Sequence, residues 1–376
     1  MLGYVIALVF GSFSVVILSS FILFCGWLPV LNRFAFSTKY IYFVYCLFSV
    51  GLCILTTQNA TLVFQAVAYT IMPMTMLFAP KEESSLFYKK TTDAVFFSLI
   101  LAVILYLFPT QHYADYLFNR SLIGRNDVRW VTKSLLQGLY GITTLSGLAT
   151  FCALYYLLNF LNSKKKNGST ILKFVFCLVC VLFAGRRSAI GALFICIMII
   201  EFVLWKNSRI STRAFTLNTL VIFGAILSVW FFYDKLLSIV IRVLDISGAL
   251  NERNSGWSST LSEMSYLIIF GKGLGTSGHL ASAAGRSGGI HDGQYVLLVV
   301  ETGIIGMILF TTLIFKALIT GKKGLDNFFP FLVVVVVLLQ CIGSNVLEMP
   351  LLSCLFWYCL SDLVDQNRLS YNDQRL

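Results

Sequence analysis

Charge is scarce in this chain. Only 12 % of its 376 residues are charged, whereas 58 % are hydrophobic, and the mean hydropathy is +0.83. A water-soluble domain of that composition would aggregate through its exposed apolar surface. Most of the chain is therefore expected in lipid, where backbone groups bond only internally. Alternating strands of about ten residues are missing too, which excludes a β-barrel and leaves an all-α fold. The opening Met1-Leu-Gly-Tyr-Val5 lacks the basic stretch of a cleavable signal peptide, so the first helix is expected to stay as an anchor.

Cysteine is present but wrongly placed for a disulfide framework. All ten (25, 46, 53, 152, 177, 180, 196, 341, 354 and 359) fall in or at the ends of apolar segments. The Cys177, Cys180 spacing lies inside an apolar run with no histidine partner, where a small packing side chain is the natural role. No Asp-x-Asp pair occurs in an external loop. Neither a metal nor a cofactor is expected.

Windows of about 20 apolar residues mark membrane helices. Eleven are expected, near 4–24, 40–57, 60–80, 94–109, 135–160, 171–185, 188–205, 215–233, 293–317, 328–346 and 351–365. Together they make one polytopic membrane domain over 1–376, of ten to twelve helices. Lys81, Lys89-Lys90, Lys164-Lys165-Lys166, Lys206 with Arg209 and Arg213, and Lys322-Lys323 all fall on one side of this count. That side is cytoplasmic by the retention of basic residues in short loops. An odd helix number leaves Met1 outside. The net charge of +11 then reads as this bias plus attraction to anionic membrane lipid, with no nucleic-acid partner.

Arginine departs from the rule. Of 13, eight (120, 125, 129, 186, 187, 242, 253 and 286) fall on the outer side. A guanidinium binds phosphate at two points and keeps its charge, so a phosphate or pyrophosphate ligand outside is the chemistry that uses them. Arg186-Arg187 interrupts two apolar helices with only Gly185 as a turn, and charge held there usually faces a cavity or a substrate path. The three histidines, His112, His279 and His291, are external as well.

The longest external loop spans 234–292. Lys235 to Asp245 has the helical spacing of a segment lying on the membrane surface. A second helix is expected over Gly256 to Phe270, with Arg253 and Trp257 one turn apart at its start. Gly271 to Gly278 breaks it, either as a hinge or as a nest of N–H groups around an anion. His291-Asp292 stands directly before the next membrane helix, as a cap or as a reactive pair.

The pattern Asn251-Glu252-Arg253, Trp257, Phe270-Gly-Lys-Gly-Leu-Gly275, His291-Asp-Gly-Gln-Tyr295 and Glu301-Thr-Gly-Ile-Ile-Gly306 resembles the signature region of the O-antigen polymerase and O-antigen ligase superfamily. Gly185-Arg-Arg-Ser-Ala189 is similar to that family's earlier arginine motif. The resemblance covers roughly residues 170 to 310. Arg186 stands where the family usually has Ser, and Asp292 where Asn or Ser is common.

The resemblance implies a multi-pass enzyme of the bacterial inner membrane with its site facing the periplasm. Its substrate would be an oligosaccharide on undecaprenyl pyrophosphate, transferred without metal to the hydroxyl of an acceptor sugar. A flippase and a chain-length regulator of the same pathway would be its partners. Carried over by motif, Arg187 and Arg253 grip the pyrophosphate and His291 activates or orients the acceptor hydroxyl. Arg186, Trp257, Gly273 and Asp292 line the substrate, and Arg125, Arg129 and His112 contribute an acceptor-side surface. Glu301 is expected to pack or to tune the fold. Polymerisation is favoured by the short chain and moderate loop. Ligation of glycan to lipid A core differs only in the acceptor. A transporter or lipid-linked sugar flippase is the alternative of another class, set back by the scarcity of charge within the helices.

Overall fold

A computed structural model describes residues 37–79, 84–108, 136, 138–139, 141–163, 168–207, 210, 257–258, 260–262, 264–279, 281, 290, 293–320 and 328–372. The expected helices at 4–24 and 215–233, the surface helix at 235–245, and Arg125, Arg129, His112, Arg253, His291 and Asp292 lie outside the described residues. Among the described residues the fold is helical and contains no strand.

The helices are α1 (Thr38–Thr57), α2 (Ala60–Phe78), α3 (Ser84–Leu107), α4 (Ile142–Asn162), α5 (Gly168–Ala184), α6 (Arg187–Lys206), α7 (Gln294–Thr320), α8 (Phe328–Gln340) and α9 (Pro350–Asn372). Six of them, α1 to α4, α6 and α7, are long and apolar enough to cross a membrane. Their outer faces carry bare large side chains such as Leu55, Phe64 and Phe315, the pattern of helices that meet lipid.

Several boundaries differ from the hydropathy windows. The third helix begins at Ser84, ten residues before the expected 94, because Lys89, Lys90 and Asp93 dilute its hydropathy without breaking its backbone. The helix expected to reach 346 stops at Gln340, and a turn follows. Within α2 a π-helical turn over Val67–Ile71 precedes Pro73, whose missing N–H breaks the regular ladder.

At the centre stand α4 and α9. Every residue of α9 from Leu351 to Val364 is buried, as a helix apolar on all sides must be. Small residues let α4 approach it, and a β-carbon on Gly147 would meet the Leu352 side chain.

Consecutive described helices run in opposite directions except α6 and α7, which start from the same end, and the bundle has two ends. At one, Lys39 at the start of α1 donates to both Asp365 carboxylate oxygens at 2.7 Å, to Ser361 Oγ at 3.0 Å and to the Leu77 carbonyl at 3.3 Å. This cluster joins the start of α1, the end of α2 and the inner half of α9. At the opposite end, Thr56 donates to the carbonyl of Lys272, the amide of Gln294 to that of Cys341, and the amide of Leu136 to that of Phe183. The turns at 57–60, 185–186 and 341–349, with residues 264–279, 290 and 293, all belong to this second end.

Candidate functional site

Among the described residues of 257–279, helical turns at 257–262 give way to a 3-10 turn at Ser265–Ile268, where a single helix over Gly256 to Phe270 was expected. Glycines at 271, 273 and 275 then take positive φ, and the chain turns inward along α1. The amide of Leu274 donates to the carbonyl of Ser49, eight residues before the end of α1, about 12 Å inside it at the helical rise. A loop at that depth must satisfy its own polar backbone. Lys272 N–H donates to Val300, Gly273 N–H to Glu301 and Gly271 N–H to Leu267. Tyr45 donates its hydroxyl to Thr302, and Ser49 donates to the carbonyl of Glu301.

These bonds require α7 to open. Gly303, with φ 69° and ψ −176°, interrupts it. The freed Ile305 amide bonds back to the carbonyl of Ile269. A β-carbon on Gly271 would meet the Glu301 carbonyl and Gly303, and one on Gly303 would meet the Ile269 carbonyl. Two backbones touch there, and both glycines hold a conformation that L side chains avoid.

The loop does form a nest of N–H groups, and the protein fills it with its own carboxyl group. Ser277 N–H donates to Glu301 Oε1 at 3.1 Å, with the amides of Gly275 and Gly278 also directed at that carboxylate. Glu348 stands beside it and accepts from the His279 amide and from Asn345 Nδ2, each at 3.1 Å. Both carboxyl groups are buried side by side, and these hydrogen bonds satisfy them there. Among the described residues, a cavity of about 20 Å³ adjoins them, bounded by Tyr42, Cys46, Thr70 and Gln294. That space holds the centre of about one water and no sugar or pyrophosphate.

The expected site residues divide accordingly. Gly273 sits against the backbone of Cys53 in α1, with its amide already bonded to Glu301. Trp257 packs its ring on Gly293, whose added β-carbon would fall 2.6 Å from Trp257 Cζ2. Around that contact Met264, Ile290, Leu297 and Val300 form a small core of their own. Arg186 and Arg187 are half-buried where α5 turns into α6. Arg186 caps α6, its carbonyl accepting the amides of Ala189 and Ile190. They lie at the same end of the bundle as the glycine loop.

Sequence reasoning gives no role to Gln294 or Asn345, and marks Glu348 only as an ionisable residue near a helix edge, alongside Glu301. Gln294 lies within the motif, so its neighbours marked it. Asn345 falls at the end of the expected 328–346 window, with no signal beyond its polarity. No protein-family model matches the chain, and no curated protein matches it at significant similarity. Function must be read from the chemistry of the site.

Proposed function

We propose that the chain is a metal-independent glycosyltransferase of the bacterial inner membrane that polymerises oligosaccharide repeat units carried on undecaprenyl pyrophosphate. In this reading about eleven helices cross the bilayer, and 234–292 is a periplasmic loop. One observation carries it. The Trp257 ring rests on Gly293, joining a residue four positions after Arg253 to one two positions after His291, at the end of the bundle that also holds Arg186 and Arg187.

The chemistry follows from those residue types. The acceptor hydroxyl forms a bond to the anomeric carbon of the donor glycan while the bond from that carbon to the pyrophosphate oxygen breaks. His291 takes the hydroxyl proton, and the electron pair leaves with undecaprenyl pyrophosphate. Arg187 and Arg253 balance the charge developing on that leaving group, a task guanidinium performs without a metal. Arg186, Trp257 and Asp292 border the substrate, with Arg125 and Arg129 on the acceptor side. Gly273 serves by its close approach to α1. A ligase acting on lipid A core would use the same groups on another acceptor.

One observation favours a transporter instead: Glu301 and Glu348 are ionisable groups buried beside a broken helix. Their hydrogen bonds to the 277–279 amides and to Asn345 give them a holding role.

The test expresses Arg187→Ala, Arg253→Ala and His291→Ala separately in cells lacking the native gene. Surface polysaccharide is then run on a gel beside a measure of each protein's membrane abundance. Ladders collapsing to single repeats at normal abundance are expected. Unmodified core with accumulated lipid-linked polymer would mark a ligase, and ladders persisting in all three would sink the transferase reading.

A further inference from the structure

We propose that Asn345, on the turn between α8 and α9, is a positioning residue for the transfer, acting with Gln294; this rests on the glycosyltransferase reading. The chain is held at Ile290 and at Gln294, before and after the 291–292 pair in sequence. On one side, the Ile290 amide donates to the carbonyl of Ser277, and its carbonyl accepts from Asn345 Nδ2 at 2.7 Å. On the other, the Gln294 amide donates to Cys341 at 3.0 Å, and its side-chain Oε1 accepts from the Leu347 amide at 2.9 Å.

The residues flanking His291 are thus fixed to a turn 53 and 55 residues further along the chain. Asn345 has no exposed surface, and its second Nδ2 contact is to Glu348, which holds the His279 amide. One side chain therefore ties together the glycine loop, the start of α7 and the α8–α9 turn. For packing alone, an apolar side chain would serve here without the cost of burying an amide. The amide supplies direction, which a reacting group needs to within about 0.5 Å.

The experiment uses the full-length protein in lipid vesicles. Its probe is the lipid-linked repeat unit extracted from cells that lack this chain. Asn345→Ala and Gln294→Leu each remove one side of the clamp. Expected for both is a folded protein whose thermal midpoint falls only as far as a lost buried hydrogen-bond partner takes it, with turnover lowered roughly 10- to 100-fold, as for a reacting group displaced by about 1 Å. KM should stay nearly unchanged, and hydrogen exchange at the Ile290 and Gln294 amides should accelerate.

Unchanged turnover, a loss explained by KM, or unchanged exchange would each overturn the positioning role. Loss of the fold in both variants would overturn it too, making the turn purely structural. Parent vesicles that form no polymer would defeat the transferase reading itself, an outcome visible before any variant is made.

Discussion

Glu301 is the residue around which the glycine loop is built. It lies seven positions into α7 in an apolar stretch, is 4 % exposed, and gives its carbonyl to Gly273 and Ser49 and its carboxylate to Ser277. Removing the carboxylate strands a buried N–H donor, which costs about 1–3 kcal/mol. Glu301→Leu should therefore lower the melting midpoint in detergent, whereas Glu301→Gln, which keeps an acceptor oxygen, should stay near the parent. Equal losses in the two would mean that charge, and not hydrogen bonding, is what the loop requires. The sequence shows Glu301 within a motif and shows the glycines beside it. The bond between them was not legible, because hydropathy windows and spacing report neighbours along the chain, while Ser277 and Glu348 reach this region from 24 residues before and 47 after.

At the scale of elements, the break in α7 and the inward course of 264–279 form a single device. Gly303 can leave the helix because the loop backbone supplies the Ile269 carbonyl to the Ile305 amide, and the loop can enter because Gly271 and Gly303 have no β-carbon. Gly303→Ala should cost about 1–3 kcal/mol in backbone strain alone, with the clash against Ile269 in addition. Gly51 in α1 has open space around a β-carbon, so Gly51→Ala should be neutral or stabilising by at most about 1 kcal/mol. Thermal melting of both variants in one detergent checks the pair, and a Gly303→Ala protein as stable as Gly51→Ala would show that the kink is dispensable. Helix existence was legible at each expected window within the described residues, because roughly 20 apolar residues have no other stable state in lipid. Helix ends were less so. Charged first turns extend α3 outward, and the early stop of α8 depends on Gln294 and Asn345 contacts that no local pattern encodes.

The whole molecule sets the sidedness on which the transferase reading depends. The described helices run between an end closed by Lys39 and Asp365 and an end that carries the glycine loop. Lys89 and Lys90 near the start of α3 and Lys206 at the end of α6 share the Lys39 end. Basic residues on short loops are retained in the cytoplasm, and on the proposed reading the glycine loop and the Arg186-Arg187 turn therefore face outside. Ser163, just beyond α4, and Ser258, before the glycine loop, are both exposed and mark opposite ends. The nine described cysteines are all buried, so an introduced thiol should stand out against the native ones. Ser258→Cys is expected to react with a membrane-impermeant maleimide added to cells whose inner membrane is intact but accessible, and Ser163→Cys only after that membrane is permeabilised. The reverse pattern would put the arginine turn in the cytoplasm, away from any acceptor sugar at the outer face, and would remove the transferase reading together with its orientation. Labelling of both from one side would contradict the two-ended bundle itself, since α4 begins at the end of the bundle that holds Gln340 and finishes at the other.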